Sequence, residues 1–276
     1  MNLEFDAEVS NAERFQFGEN WRAFLEGVGE VHISNAEASL KEMLGVESLS
    51  GLSFLDAGCG SGLFSLAAIR LGARQVYSFD YDPSSVACTR EIKRRFEPDV
   101  ERWRIETGSV LNKEYLAGLG SFDIVYSWGV LHHTGRMFQA MENVLLPLRP
   151  GGQLFIAIYN DQGLASRIWR AVKKSYNRLP GRLKFLVLIP ALIRLWGPRT
   201  IIDLLRGQPF ETWKNYSKNR GMSAWYDVVD WVGGYPFEVA KPEVVSEFIS
   251  SRNLELQKLK TVGNRLGCNQ FVFRKK

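Results

Sequence analysis

A short apolar run, Leu52–Ala57, ends in Gly58-Cys59-Gly60-Ser61-Gly62, and helical spacing begins at once, over Ser61–Leu71. This pattern is a buried strand that turns through glycines into a helix. Glycines at 58, 60 and 62 allow a tight turn and a close backbone approach to a ligand. The helix N-terminus behind them offers unpaired N–H groups. Glycine turns also join strand to helix where no ligand binds, so the motif takes its meaning from its neighbours in the chain.

Those neighbours alternate. Strands are expected at Gln75–Phe79, Trp103–Thr107, Phe122–Trp128 and Gln153–Tyr159. Helices are expected from Asp82-Pro83 to about Phe96 and over Met137–Leu148, the first opened by a carboxylate N-cap with proline at the first helical position. Strands alternating with helices give a doubly wound, mostly parallel α/β sheet. The first fifty residues read as helical, with Ser34 and Glu37 spaced as a capping box. After an interruption the pattern resumes with a helix at Glu243–Ser251 and strands at Leu254–Thr261 and Asn269–Arg274. A short glycine-containing link, Val262–Cys268, makes those two strands an antiparallel hairpin.

The 276 residues are 45% hydrophobic and 24% charged, enough for a substantial core and unlike a disordered chain. Three cysteines make no disulfide framework, and none is spaced as a metal ligand. The acidic N-terminus lacks the apolar core of a signal peptide. The longest unbroken apolar stretch, Phe185–Ile193, is too short to cross a bilayer. A soluble, cytoplasmic protein with reduced thiols is expected. The net charge of +5 is uneven: residues 161–220 hold thirteen basic and three acidic residues, which leaves the rest of the chain at −5. Such a segment is expected to have its own partner.

Asp80 stands at the end of the second strand, 18 residues after Gly62. A carboxylate there can accept both hydroxyls of a ribose. With this the chain resembles the class I S-adenosylmethionine-dependent methyltransferases, in the subgroup acting on small molecules. The resemblance covers roughly residues 50–160 and 240–275. Asp56-Ala57-Gly58-Cys59-Gly60-Ser61-Gly62 is similar to the family's cofactor loop, Asp80 to its ribose acid, and Tyr81 to the residue beside the adenine. Gly108-Ser109-Val110 stands where the family has Gly-Asp and an apolar residue, with Ser109 in place of the aspartate. Phe122–Ser127 and Leu148-Arg149-Pro150-Gly151-Gly152 match the motifs of the fourth strand and the turn before the fifth. The resemblance implies S-adenosyl-L-methionine as cofactor, bound by Asp56, Gly58, Gly60, Gly62, Asp80, Tyr81, Ser109, Val110 and Ser127. It also implies a seven-stranded sheet, with a helical cap at 1–50, a core of 51–160 and 236–276, and a basic helical insertion at 161–235 in the place of a substrate lid.

His132 and His133 follow the fourth strand, where the family presents the transferable methyl. An imidazole can take a proton from an acceptor hydroxyl and would put a limb near pH 6–7 in the rate profile. His133 is the first candidate catalytic residue and His132 the second; the pair could instead fix the loop. Aromatic residues Phe17, Trp21, Trp128, Tyr159, Trp225 and Tyr235, with Asn160, are candidates to line the acceptor site, although each could be plain core. Methyl transfer to oxygen of a small or lipid-linked metabolite is expected, ahead of carbon. The basic segment suits an anionic acceptor, or a peripheral contact of 161–220 with the inner face of a membrane. No helix-turn-helix, zinc or RNA-binding signature accompanies it, so no specific nucleic acid is expected. The alternatives are an RNA methyltransferase that uses the basic insertion and an NAD-dependent oxidoreductase. No metal is expected.

Overall fold

The computed structural model describes residues 3–220 and 224–276; the side chains of 215 and 217–220, Lys218 and Arg220 among them, lie outside the described residues. Helices α1 (Leu3–Ser10), α2 (Gly18–Gly27) and α3 (Glu30–Leu44) precede strand β1 (Ser53–Ala57). Then α4 (Leu63–Arg70), β2 (Gln75–Asp80), α5 (Pro83–Phe96), β3 (Trp103–Thr107), α6 (Lys113–Gly118), β4 (Phe122–Trp128), α7 (Met137–Asn143) and β5 (Leu148–Tyr159) alternate. Helices α8 (Leu164–Arg178), α9 (Phe185–Leu205), α10 (Glu211–Arg220) and α11 (Ala224–Gly233) form the insertion. Helix α12 (Pro242–Ser250), β6 (Leu254–Lys260) and β7 (Cys268–Lys275) close the chain.

The seven strands form one sheet in the order β3-β2-β1-β4-β5-β7-β6. Strands β1 to β5 pair in parallel, and β7 runs antiparallel to both β5 and β6. The expected hairpin is therefore present, with its second strand inserted beside β5. One apolar layer packs the face carrying Leu55, Val125, Ile156 and Phe271. A second packs Phe54, Tyr126, Phe155 and Val272 against α3 and α4. Alternate residues of each central strand thus serve opposite layers, as a sheet buried on both faces requires. The insertion has its own small cluster, built on Tyr176, Leu188, Trp196, Val228 and Val232.

Three expectations need correction. Ser34 and Glu37 lie inside α3, whose first turn is held instead by His32 Nδ1 accepting the Gly29 N–H at 3.2 Å. The helix from Met137 stops at Asn143, because Pro147 disfavours helix before it and the chain tightens into i to i+3 turns such as Leu146 N–H to Asn143 O. The helix that carries the apolar run Phe185–Ile193 does not end with that run. An isolated Arg194 leaves the helix running to Leu205, and Gly181–Leu205 is long and apolar enough by length and composition to cross a membrane.

Candidate active site

The carboxyl ends of β1, β2 and β4 meet at the glycine loop. The N–H groups of Gly58 and Cys59 donate to Phe79 O at 2.8 and 3.0 Å and tie the loop to β2. Gly58 and Gly62 have φ of +90° and +83°. A Cβ on Gly58 would stand 2.4 Å from Val130 Cγ2, and one on Gly62 would stand 2.9 Å from Thr89 Cα. Both positions therefore need glycine for conformation and for space. The Asp80 carboxylate accepts the Gly60 N–H at 2.9 Å through Oδ2 and the Asp82 N–H at 2.9 Å through Oδ1. Burial pushes its carboxyl up to about 6, against the pull of these two bonds. Thr89 Oγ1 donates to Cys59 Sγ at 3.1 Å, and burial holds that thiol well above its ordinary value, so Cys59 is no nucleophile.

Beyond Asp80, Tyr81, Ser109, Arg14, Thr134 and Arg136 help to line a cavity of about 390 Å³. The Arg14 guanidinium lies 4.9 Å from the Tyr81 ring centroid. Three other residues expected at this site have different partners. Asp56 is buried and accepts a 2.5 Å bond from Ser65 Oγ of α4; burial raises its carboxyl to about 7. Ser127 Oγ donates to Ala57 O at 2.7 Å, joining β4 to β1. Val110 belongs to the apolar layer, and its carbonyl takes a bond from Asn143.

The N-terminal segment closes over this edge. The Gly18 N–H donates to Asp82 Oδ2 at 2.8 Å, which fastens α2 to the start of α5. Trp21 sits on the loop, since a Cβ at Gly60 would lie 3.0 Å from its Nε1. The Phe17 ring lies 5.0 Å from His133, and Arg14 donates to His133 O at 3.0 Å.

His133 Nδ1 is 2.7 Å from Pro236 O. A carbonyl can only accept, so Nδ1 carries the hydrogen and the Nε2 lone pair is left available. Burial, with Lys173 and Arg14 nearby, pushes the ring down to about 3. The pH 6–7 limb expected from an ordinary histidine is therefore not one His133 would give. His132 is fully buried, and burial holds it well below its ordinary value against the pull of the Ala157 backbone. Its ring packs at 3.9 Å on Tyr159.

Lys173 of α8 was not legible as a site residue among its basic neighbours. Its side chain is fully buried. Its ammonium donates to Trp231 O and stands 4.5 Å from the Trp231 ring, 4.7 Å from Phe237 and 5.9 Å from Tyr159. Burial pushes it down to about 7, against the attraction of Asp230, whose own carboxyl burial raises. Asn20 of the N-terminal segment donates to Asp230. The spacing of Trp169, Lys173 and Tyr176 on one helical face was the available signal. The other acceptor-site candidates divide. Tyr159 is central, with Trp231 at 5.3 Å and Phe237 at 5.4 Å. Tyr235 O accepts the Phe15 N–H at 2.8 Å. Trp128 and Trp225 are exposed. Asn160 is committed elsewhere, bonding to Gly263 O and Asn269 beneath the hairpin.

A family model described as a methyltransferase domain matches residues 48–218. The chain belongs to the S-adenosylmethionine-dependent methyltransferase family. Among its relatives, a ubiquinone biosynthesis O-methyltransferase of Xanthomonas campestris pv. campestris (strain B100) is 34% identical over 181 residues, 62% of this chain and 72% of that protein. A tRNA U34 carboxymethyltransferase of Methylococcus capsulatus is 30% identical over 123 residues. That match takes in 45% of this chain and only 37% of the relative's length. In fold, the methyltransferase resembles magnesium protoporphyrin IX methyltransferase of Synechocystis PCC 6803, solved with bound S-adenosylhomocysteine, at a TM-score of 0.55 and 15% identity over 94% of each chain. The cofactor is S-adenosylmethionine, and the geometry of this methyltransferase fits it. The loop leaves no room for a Cβ at Gly58 or Gly62, and each Asp80 oxygen retains accepting capacity for a ribose hydroxyl beside its backbone bond.

Proposed function

We propose that this methyltransferase methylates an oxygen of a small or lipid-linked acceptor that ionises readily, such as a phenol or a carboxylate. The observation that carries the reading is the His133 ring. It is neutral, held in one tautomer by the Pro236 carbonyl, and flanked by Phe17 and Tyr159. The loop that bears it touches the cofactor loop through Val130 and Gly58.

When bound, S-adenosylmethionine supplies an electrophilic methyl group. Asp80 holds the ribose, Tyr81 and Ser109 flank the adenine end, and the N-terminal segment excludes water above Gly60. Tyr159 and Phe17, both part-buried, offer planar apolar surface to the acceptor, and Nε2 of His133 accepts a hydrogen bond. A base held near 3 cannot ionise an aliphatic alcohol ahead of reaction, which favours acceptors of lower pKa. The ubiquinone O-methyltransferase relative supports an oxygen acceptor. To test this, phenolic, carboxylic and aliphatic alcohol acceptors of matched size are compared with methyl-labelled cofactor. Preference for the aliphatic alcohols would refute the reading.

A second reading, transfer to tRNA, draws on the basic insertion and on the U34 carboxymethyltransferase relative. A gel shift with tRNA in rising salt tests it, because phosphate contacts weaken steeply with salt.

A further inference from the structure

Helix α9 is two-sided. Leu188, Ala191 and Trp196 are buried against the rest of the insertion. Leu186, Ile189, Ile193, Ile201 and Leu205 are exposed, Ile193 by 64% and Leu205 by 83%. In a soluble domain an apolar stripe belongs inside; here it runs along a helix of 21 residues, about 31 Å long. The charges beside it have one sign. Arg182, Arg194, Arg199 and Arg206 are exposed. The acid within the helix, Asp203, is buried and turned inward, where it accepts from the Thr212 N–H at 2.8 Å and from the Thr212 hydroxyl at 2.7 Å.

We propose that the exposed side of α9 docks in the interfacial layer of an anionic lipid bilayer, with its apolar residues among the acyl chains and its arginines at the headgroups. Apolar side chains flanked by cations match that layer. A second copy of this face would bring arginines against arginines, and a nucleic acid would leave the apolar stripe in water. A spanning orientation would strip Leu188, Ala191 and Trp196 from their partners on α11 and expose the Asp203–Thr212 bonds to hydrocarbon. Helix α11 also carries Trp231 and Asp230, so docking would set the acceptor side of the enzyme at the membrane surface. The inference stands apart from the acceptor's identity, because vesicle binding and methyl transfer are read separately.

The full chain is floated with vesicles of phosphatidylglycerol and phosphatidylcholine in equal parts, and with phosphatidylcholine alone. The parent should rise with the anionic vesicles and partition at least tenfold more weakly with the neutral ones. Arg194→Ala with Arg206→Ala should weaken anionic binding by about 25-fold, at about fivefold per cation. Ile193→Glu with Leu205→Glu should abolish it. All four positions are exposed, and unchanged melting curves confirm that the variants fold. The proposal is overturned if the parent floats with neither vesicle or if the glutamate variant floats as the parent does. It is also overturned if light scattering shows a dimer that the glutamate variant dissolves while vesicle binding is absent, or if the arginine variant loses tRNA binding alone.

Discussion

Replacing Asp80 tests the cofactor site through both charge and geometry. Its carboxylate holds the N–H groups of Gly60 and Asp82 at 2.9 Å each and is the group proposed to take the ribose hydroxyls. Hydrogen bonds to a charged group contribute about 1.5–3 kcal/mol, so Asp80→Ala should weaken S-adenosylmethionine binding by roughly 10- to 150-fold. The raised pKa adds a second signature. With a value of about 6, the group is about nine-tenths ionised at pH 7 and about one-tenth ionised at pH 5. If only the carboxylate accepts both hydroxyls, Kd should rise about tenfold across that interval, and Asp80→Asn should remove the dependence. Calorimetric titration of cofactor at the two pH values, on parent, Ala and Asn forms, measures this. Parental affinity in Asp80→Ala, or the same pH dependence in Asp80→Asn, would refute the assignment of the end of β2.

The site sets three further outcomes. Gly62→Ala should lower stability by about 2–3 kcal/mol in urea unfolding, because it places a Cβ at positive φ against Thr89; an unchanged midpoint would contradict the close packing of α4 and α5 there. His133→Ala should lower kcat by no more than about tenfold while cofactor affinity holds, because a readily ionised acceptor needs no strong base, and the parent's rate profile should lack a limb at pH 6–7 that vanishes in this variant. Such a limb would show a solvated, ordinary histidine instead. Lys173 has a folded value near 7, below its unfolded value, so between about pH 7 and 8.5 the unfolded chain binds the proton that the folded chain gives up. Parent stability should therefore rise with pH relative to Lys173→Met, by up to about 1.4 kcal/mol per unit; parallel unfolding curves at the two pH values would rule out a buried amine.

The doubly wound sheet was legible because β1, β2 and β4 are short, mainly apolar and followed by turn or helix-start chemistry. Asp82-Pro83 opens α5 as read, with Asp82 Oδ1 accepting the Ser84 N–H. The glycine turn between β1 and α4 was legible because its backbone requirements are written in residue type. Asp56 and Ser127 were not, since a polar residue at a strand end can turn to the cavity or to a neighbouring element, and both turned to neighbours. The Lys173, Asp230 and Asn20 cluster joins α8, α11 and the N-terminal segment, which are far apart in sequence. Only packing brings them together, and a basic run hides the one lysine that points inward. The length of α9 was not legible from its longest unbroken apolar run, because Arg194 and Arg199 interrupt the apolar string without breaking the helix.

The central claim is methyl transfer to oxygen of a small or lipid-linked acceptor. The most direct measurement incubates the enzyme with methyl-labelled S-adenosylmethionine and a cell extract, then separates organic-soluble metabolites, RNA and protein. Label recovered as a methoxy group or methyl ester in the organic-soluble fraction is the predicted result. Label confined to RNA or protein, with none in that fraction, would contradict it.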